Sequence, residues 1–163
     1  MKNRPIGIFD SGVGGLTVAH AVKQLLPGES IVYFGDTAHL PYGDKSAESI
    51  KSYSRRITEF LLEKNSKVVL VACNSASSSA YDALKEEFGK RVILIDVIDP
   101  VVDYLGSRNF NKIGVIGTKR TISSGTYETK ITERAPGTSV ISMATPLLVP
   151  MIEEGFIFDD ISN

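Results

Sequence analysis

Lys67 to Ala72 reads KVVLVA, and Cys73 to Ser77 (CNSAS) follows it directly. The hexapeptide is apolar on both faces, which suits a strand covered on both sides at the centre of a parallel sheet. The polar residues after it open an amphipathic stretch, predicted as a helix from about Ser75 to Phe88 that ends at Gly89. A strand running into a helix is half of a βαβ unit, and the pattern repeats outward in both directions. Upstream, Pro5 to Phe9 and Ile31 to Phe34 read as strands. Helices are predicted over Gly14 to Leu26 and Ser46 to Lys64, the second with Ile50, Tyr53, Ile57, Phe60 and Leu61 at helical spacing and Ser46 or Asp44 as N-cap. Downstream, Val92 to Ile95 is a fourth strand, and Asp96 to Pro100 (DVIDP) interrupts the pattern as a candidate domain junction. A short helix near Val101 to Leu105, a strand at Lys112 to Ile116, a helix over Thr121 to Glu133 and a strand at Ser139 to Met143 are expected after it. The fold class is α/β, with mostly parallel sheets and helices on both faces. Ile6-Gly7-Ile8 and Ile113-Gly114-Val115, each ahead of a turn with glycine and a hydroxyl, form a faint internal echo that duplication and chance explain equally well.

Composition narrows the function classes. The chain has 163 residues, 42% of them hydrophobic and 23% charged, the proportions of a globular domain or two small ones. Its net charge of −1 leaves no electrostatic footprint for nucleic acid. No apolar run approaches the ~18 residues of a membrane span. One Cys and two His, at 20 and 39, make no ligand cluster at zinc spacing, so no metal is expected. A single cysteine without a signal-like N-terminus points to a reducing, cytoplasmic setting. Pro150 to Gly155 starts another element, and Phe156-Ile157-Phe158 is apolar sequence with nothing after it to cover it. The expectation is therefore a piece of a longer polypeptide. Residues 1–96 would form a first α/β domain lacking its return segment, and 97–163 the beginning of a second.

Ligands in open parallel sheets bind at C-terminal strand ends, where loops lead into helix N-termini. Three unusual loops fall there. Asp10-Ser11-Gly12-Val13-Gly14-Gly15 follows the first strand, and its glycines allow close backbone approach to a ligand or simply a tight turn. It matches neither a Walker loop nor the dinucleotide fingerprint. Gly35-Asp36 through Pro41-Tyr42-Gly43 follows the second strand and can hold a phenol and an amide at a pocket wall, or be only a turn. Cys73-Asn74-Ser75-Ala76-Ser77 follows the third. A lone Cys is usually a small buried hydrophobe, yet this one opens a helix whose dipole favours a thiolate. A thiolate with an acidic partner suits nucleophilic attack or proton abstraction. His20 falls inside a helix, and His39 has modest support as a partner from its loop position.

Taken in order after successive strands, these three loops resemble the glutamate racemase family, of the aspartate/glutamate racemase superfamily. Ile113 to Thr121 (IGVIGTKRT) and Pro146 to Gly155 (PLLVPMIEEG) extend the resemblance over essentially the whole chain. It implies two similar α/β domains with the active site between them, and cofactor-independent interconversion of L- and D-glutamate, supplying D-glutamate for peptidoglycan. Two cysteines on opposite faces of the substrate Cα would exchange its proton, with no cofactor and no metal. By resemblance Cys73 is one of the pair, and Asp10 assists it and borders the substrate. Ser11, Tyr42, Gly43, Asn74, Ser75, Thr118 and Thr121 stand at substrate-anchoring positions, and Glu153 at an electrostatic one. Glutamate is then the small-molecule partner, with no nucleic acid or membrane, and a homodimer is left open. Ser75 replaces the family's usual Thr and keeps the hydroxyl. Asp96 and Asp99 stand where the family pattern commonly differs. The family's second catalytic cysteine, in a Cys-Thr-His segment, is not among these residues. An aspartate-type racemase, a single-cysteine lyase, or an inactive binding or regulatory homologue are the competing readings.

Overall fold

β-Branched segments separated by long amphipathic stretches pair as parallel strands, because the intervening helix carries the chain back to the starting edge. The computed structural model describes residues 4–156 and contains six strands, all paired in parallel. The first four are β1 (Ile6–Asp10), β2 (Ile31–Gly35), β3 (Val68–Val71) and β4 (Ile93–Asp96), in the order β2-β1-β3-β4. Their connections are α1 (Gly15–Leu25), α2 (Ala47–Glu63) and α3 (Asn74–Phe88). Phe9, Val69 and Val71 pack against α2 and α3 on one face, through Ile50, Ile57, Leu61, Leu84 and Phe88. Ile6, Ile8 and Ala72 pack against Val18, Ala19 and Val22 of α1 on the other. Burial on both faces explains why KVVLVA carries no alternation.

A second sheet pairs β5 (Lys112–Gly117) with β6 (Ser139–Ala144). Here the strands alternate. Ile113, Val115 and Val140 pack against Ile98, Val102 and Ile131 of the helical layer, whereas Ile116, Ile141 and Met143 on the opposite face are more than half exposed. That layer is built by α4 (Asp99–Gly106), α5 (Lys119–Ser123) and α6 (Thr126–Arg134), and α7 (Leu148–Glu153) follows β6.

Two sequence expectations need correction. The helix expected over Thr121 to Glu133 is two helices, α5 and α6, divided at Gly125, whose φ of 68° no continuous helix accommodates. The helix expected from Val101 starts earlier, because Pro100 occupies its first turn, where a missing N–H costs nothing. The DVIDP stretch, expected as a break in the pattern, runs from the end of β4 into α4: Asp96 Oδ1 accepts the Asp99 N–H at 3.0 Å, and Asp99 pairs with Lys130 of α6. Of the apolar tail, Phe156 is exposed, and Ile157 and Phe158 lie outside the described residues.

Candidate active site

The strand order fixes where a crevice opens. From β1 the chain passes through α1 to β2 on one side, while β3 lies on the other, so the loops after β1 and β3 part at a switch point between neighbouring strands. Asp10 ends β1 there. Its buried carboxylate Oδ2 accepts the Gly12 N–H at 3.2 Å and the Gly15 N–H at 2.8 Å, satisfying donors at the start of α1. Gly15 has to be glycine, since a Cβ would stand 2.5 Å from Asp10 Cβ and 3.0 Å from the Tyr33 hydroxyl.

Cys73 occupies the N-cap of α3, and its Sγ accepts the Ala76 N–H at 3.4 Å. The thiol donates to Ser11 Oγ at 3.4 Å, which ties the β1 and β3 loops together beside Asp10. In the loop after β2, the buried Tyr42 hydroxyl donates to Asp36 Oδ2 at 2.6 Å. His39 Nδ1 approaches Asp36 Oδ1 at 2.8 Å, and its ring stacks on Tyr53 at 4.0 Å.

The second sheet closes the crevice. Thr118 caps α5 and accepts the Thr121 N–H, in the same arrangement by which Ser46 caps α2. Ser75 Oγ lies 2.9 Å from Thr118 Oγ1 and 3.3 Å from Thr121 Oγ1. Gly43 lets Thr118 approach, for a Cβ would stand 2.7 Å from Thr118 Cβ. The result is a cleft of about 270 Å³ lined by Asp10, Ser11, Tyr42, Gly43, Cys73, Asn74, Ser75, Thr118 and Glu153, among others.

Residues 16–152 match the family model described as Asp/Glu/Hydantoin racemase. The chain belongs to that racemase family. It is 40% identical over 162 residues to a glutamate racemase of Neisseria meningitidis, covering 99% of this chain and 60% of that protein. It is 47% identical over 154 residues to one from Syntrophus aciditrophicus, covering 94% of this chain and 56% of that protein. The glutamate racemase of Francisella tularensis, solved with D-glutamate, superposes with a TM-score of 0.92 at 41% identity, covering 99% of this chain and 60% of that one. The chain thus spans about 60% of the length of the relatives it matches.

Within this cleft the residues chosen from sequence are sorted by place. All line it except Thr121, which is buried behind Ser75 and holds that hydroxyl and Thr118 from below. His20 is exposed on α1 and His39 serves Asp36, so neither pairs with Cys73 in the structure. Thr17, Val18, Val97 and Val149 also line the cleft and were not singled out from sequence, because they belong to unremarkable periodic positions.

The electrostatics overturn one expectation. The Ala76 N–H at the start of α3 pulls the Cys73 thiol down but is outweighed. Burial, with the Asp10 charge second, pushes it up to about 11, against the opposing bonds from Ser11 and Ala76. Burial and the Asp10 charge likewise raise Glu153, whose Oε1 lies over Gly12, and hold Tyr33 at about 12. Tyr42 is raised further by burial and by its bond to Asp36, so it stays a phenol. The cleft therefore joins an acidic wall (Asp10, Glu153) to a rim of amide and hydroxyl donors, which complements an ammonium beside a carboxylate. Among the described residues no group of His, Cys, Asp and Glu is placed to hold a metal ion. No helix among them is long and apolar enough to cross a membrane.

Proposed function

We propose that these residues form one side of a glutamate racemase active site, in which Cys73 moves the proton at the substrate Cα. The observation that carries the reading is Cys73 Sγ at the head of α3, bonded to Ser11 beside the Asp10 carboxylate, in a cleft suited to a zwitterion. The thiolate takes the α-proton, and the electron pair left on carbon spreads into the α-carboxylate, where N–H and hydroxyl donors from Ser11, Asn74, Ser75 and Thr118 stabilise it. In the reverse direction the thiol returns the proton to the same face. Inversion needs an acid on the opposite face, which the family resemblance assigns to a second cysteine, and these 163 residues hold one. Asp10 would assist proton transfer at Cys73, with Tyr42 and Gly43 walling the substrate and Glu153 setting the field. The relative solved with D-glutamate supports glutamate as substrate.

The same reading assigns residues 1–96 and 97–163 to two α/β domains meeting at this cleft. It also places the protein in the cytoplasm, where a lone thiol stays reduced.

Cys73→Ser in the protein carrying this chain tests the reading. Racemisation of L-glutamate, followed by circular dichroism, should fall by more than 100-fold while calorimetric glutamate binding persists, because a serine hydroxyl is too weak an acid to serve as a base. Near-parental racemisation by the serine variant would reduce Cys73 to a core residue.

A further inference from the structure

Asn74 opens α3 and lines the cleft. A side-chain amide can offer a ligand its carbonyl oxygen or its NH2 group, and only the NH2 suits a carboxylate. In the structure that choice is made from the other sheet. The Tyr127 hydroxyl, on α6, donates to Asn74 Oδ1 at 2.7 Å. With Oδ1 engaged, the NH2 is the polar group left for the cleft.

The phenol is well held for this task. Its ring packs on the cluster of Ile98, Val102 and Ile131. The neighbouring Thr126 hydroxyl donates to the Ser78 carbonyl at 3.2 Å, which pins the start of α6 to the first turns of α3. Burial, with the Asp96 charge second, keeps the phenol above its ordinary range, so it remains a donor at any physiological pH.

We propose that Tyr127 is a positioning residue for substrate binding, fixing the Asn74 amide so that its NH2 meets a carboxylate of the amino-acid substrate. Through this bond the second sheet sets part of the affinity of a donor carried by the first. The inference rests on the glutamate reading above.

A double-mutant cycle on Tyr127→Phe and Asn74→Ala, read by calorimetric D-glutamate affinity and by KM and kcat, tests it. Phe keeps the ring and its packing and removes only the hydroxyl. Tyr127→Phe alone should weaken glutamate about 5-fold, the worth of a hydrogen bond of about 1 kcal/mol, with the effect in KM and kcat within about 2-fold. In the Asn74→Ala background the same change should have no further effect. Asn74→Asp keeps an acceptor for the phenol but loses the donor, so it should bind glutamate more weakly than Asn74→Ala. Equal weakening by Tyr127→Phe in both backgrounds, or none in the parent, would overturn the proposal while leaving the glutamate reading intact. A parent protein that binds no glutamate would overturn that reading, and this one with it.

Discussion

Cys73 concentrates the opposing effects in this cleft. Burial and the Asp10 carboxylate favour the thiol, while Ser11 and the Ala76 N–H favour the thiolate, and the first pair wins. Pushed up to about 11, Cys73 favours the thiol at neutral pH. On the proposed glutamate reading, the substrate's ammonium would supply the opposite charge that draws the value down, so that binding would itself generate the base. Iodoacetamide labelling of the ligand-free protein, followed by mass spectrometry, should therefore keep accelerating from pH 7 to pH 10 without a plateau, unlike a free thiol of pKa ~8.5. Asp10→Asn should move the curve to lower pH. A plateau below pH 9 in the parent protein would contradict the dominance of burial. The place of Cys73 at a strand end and helix start was legible in the sequence because that is a local signal, whereas Asp10 was singled out through the family resemblance. Tyr127 and Asp36 were not, since their roles come from partners: Asn74 lies 53 residues from Tyr127, and the Asp36–Tyr42 bond depends on how a turn folds over α2. Thr121 was placed one layer too far forward, because position on a helix start does not say which side faces the ligand.

Helix boundaries follow the same division between local and tertiary signals. Ser46 was readable as a cap because its side chain acts within three residues, and it accepts the Ser49 N–H as expected. The split between α5 and α6 was missed because Gly125 is compatible with a continuous helix in a propensity scan and decisive only once its φ is positive. A Cβ there would meet no heavy atom within 4 Å, so the cost of Gly125→Ala is confined to the backbone. Urea denaturation should show a loss of about 1–2 kcal/mol, the penalty of a left-handed residue bearing a side chain. An unchanged or increased stability would mean that α5 and α6 can merge without disturbing the Thr118 cap and the Thr126–Ser78 contact. The division matters to the site, since α5 presents Thr118 to Ser75 whereas α6 presents Tyr127 to Asn74.

At the scale of the molecule, the alternation of apolar runs and amphipathic stretches conveyed the parallel α/β class, and the strand order then located the cleft. Continuous apolarity in β3 marked a sheet covered on both faces, whereas β5 and β6 alternate and leave Ile116, Ile141 and Met143 exposed. Which strands would be bare was not legible, because hydrophobic pattern reports what can be buried and not what covers it. These 163 residues in isolation should therefore associate, with sedimentation showing concentration-dependent species that Ile141→Lys together with Met143→Lys diminishes. A compact monomer at all concentrations would show that this face is tolerated in water. The approach of the second sheet to the first, through Gly43–Thr118 and Ser75–Thr118, makes the cleft a property of both units together.

Exchange of the glutamate α-proton with solvent tests the central claim most directly, because it reports proton removal at Cα whether or not inversion follows. Proton NMR in deuterium oxide, run separately on D- and L-glutamate with the protein carrying this chain, should show loss of the α-proton signal. Cys73→Ser should abolish that loss for the enantiomer whose α-proton faces Cys73. For the 163 residues alone, with one thiol, exchange should be confined to one enantiomer and proceed with retention of configuration. Exchange undiminished in Cys73→Ser, or true inversion by the 163-residue chain, would contradict the account.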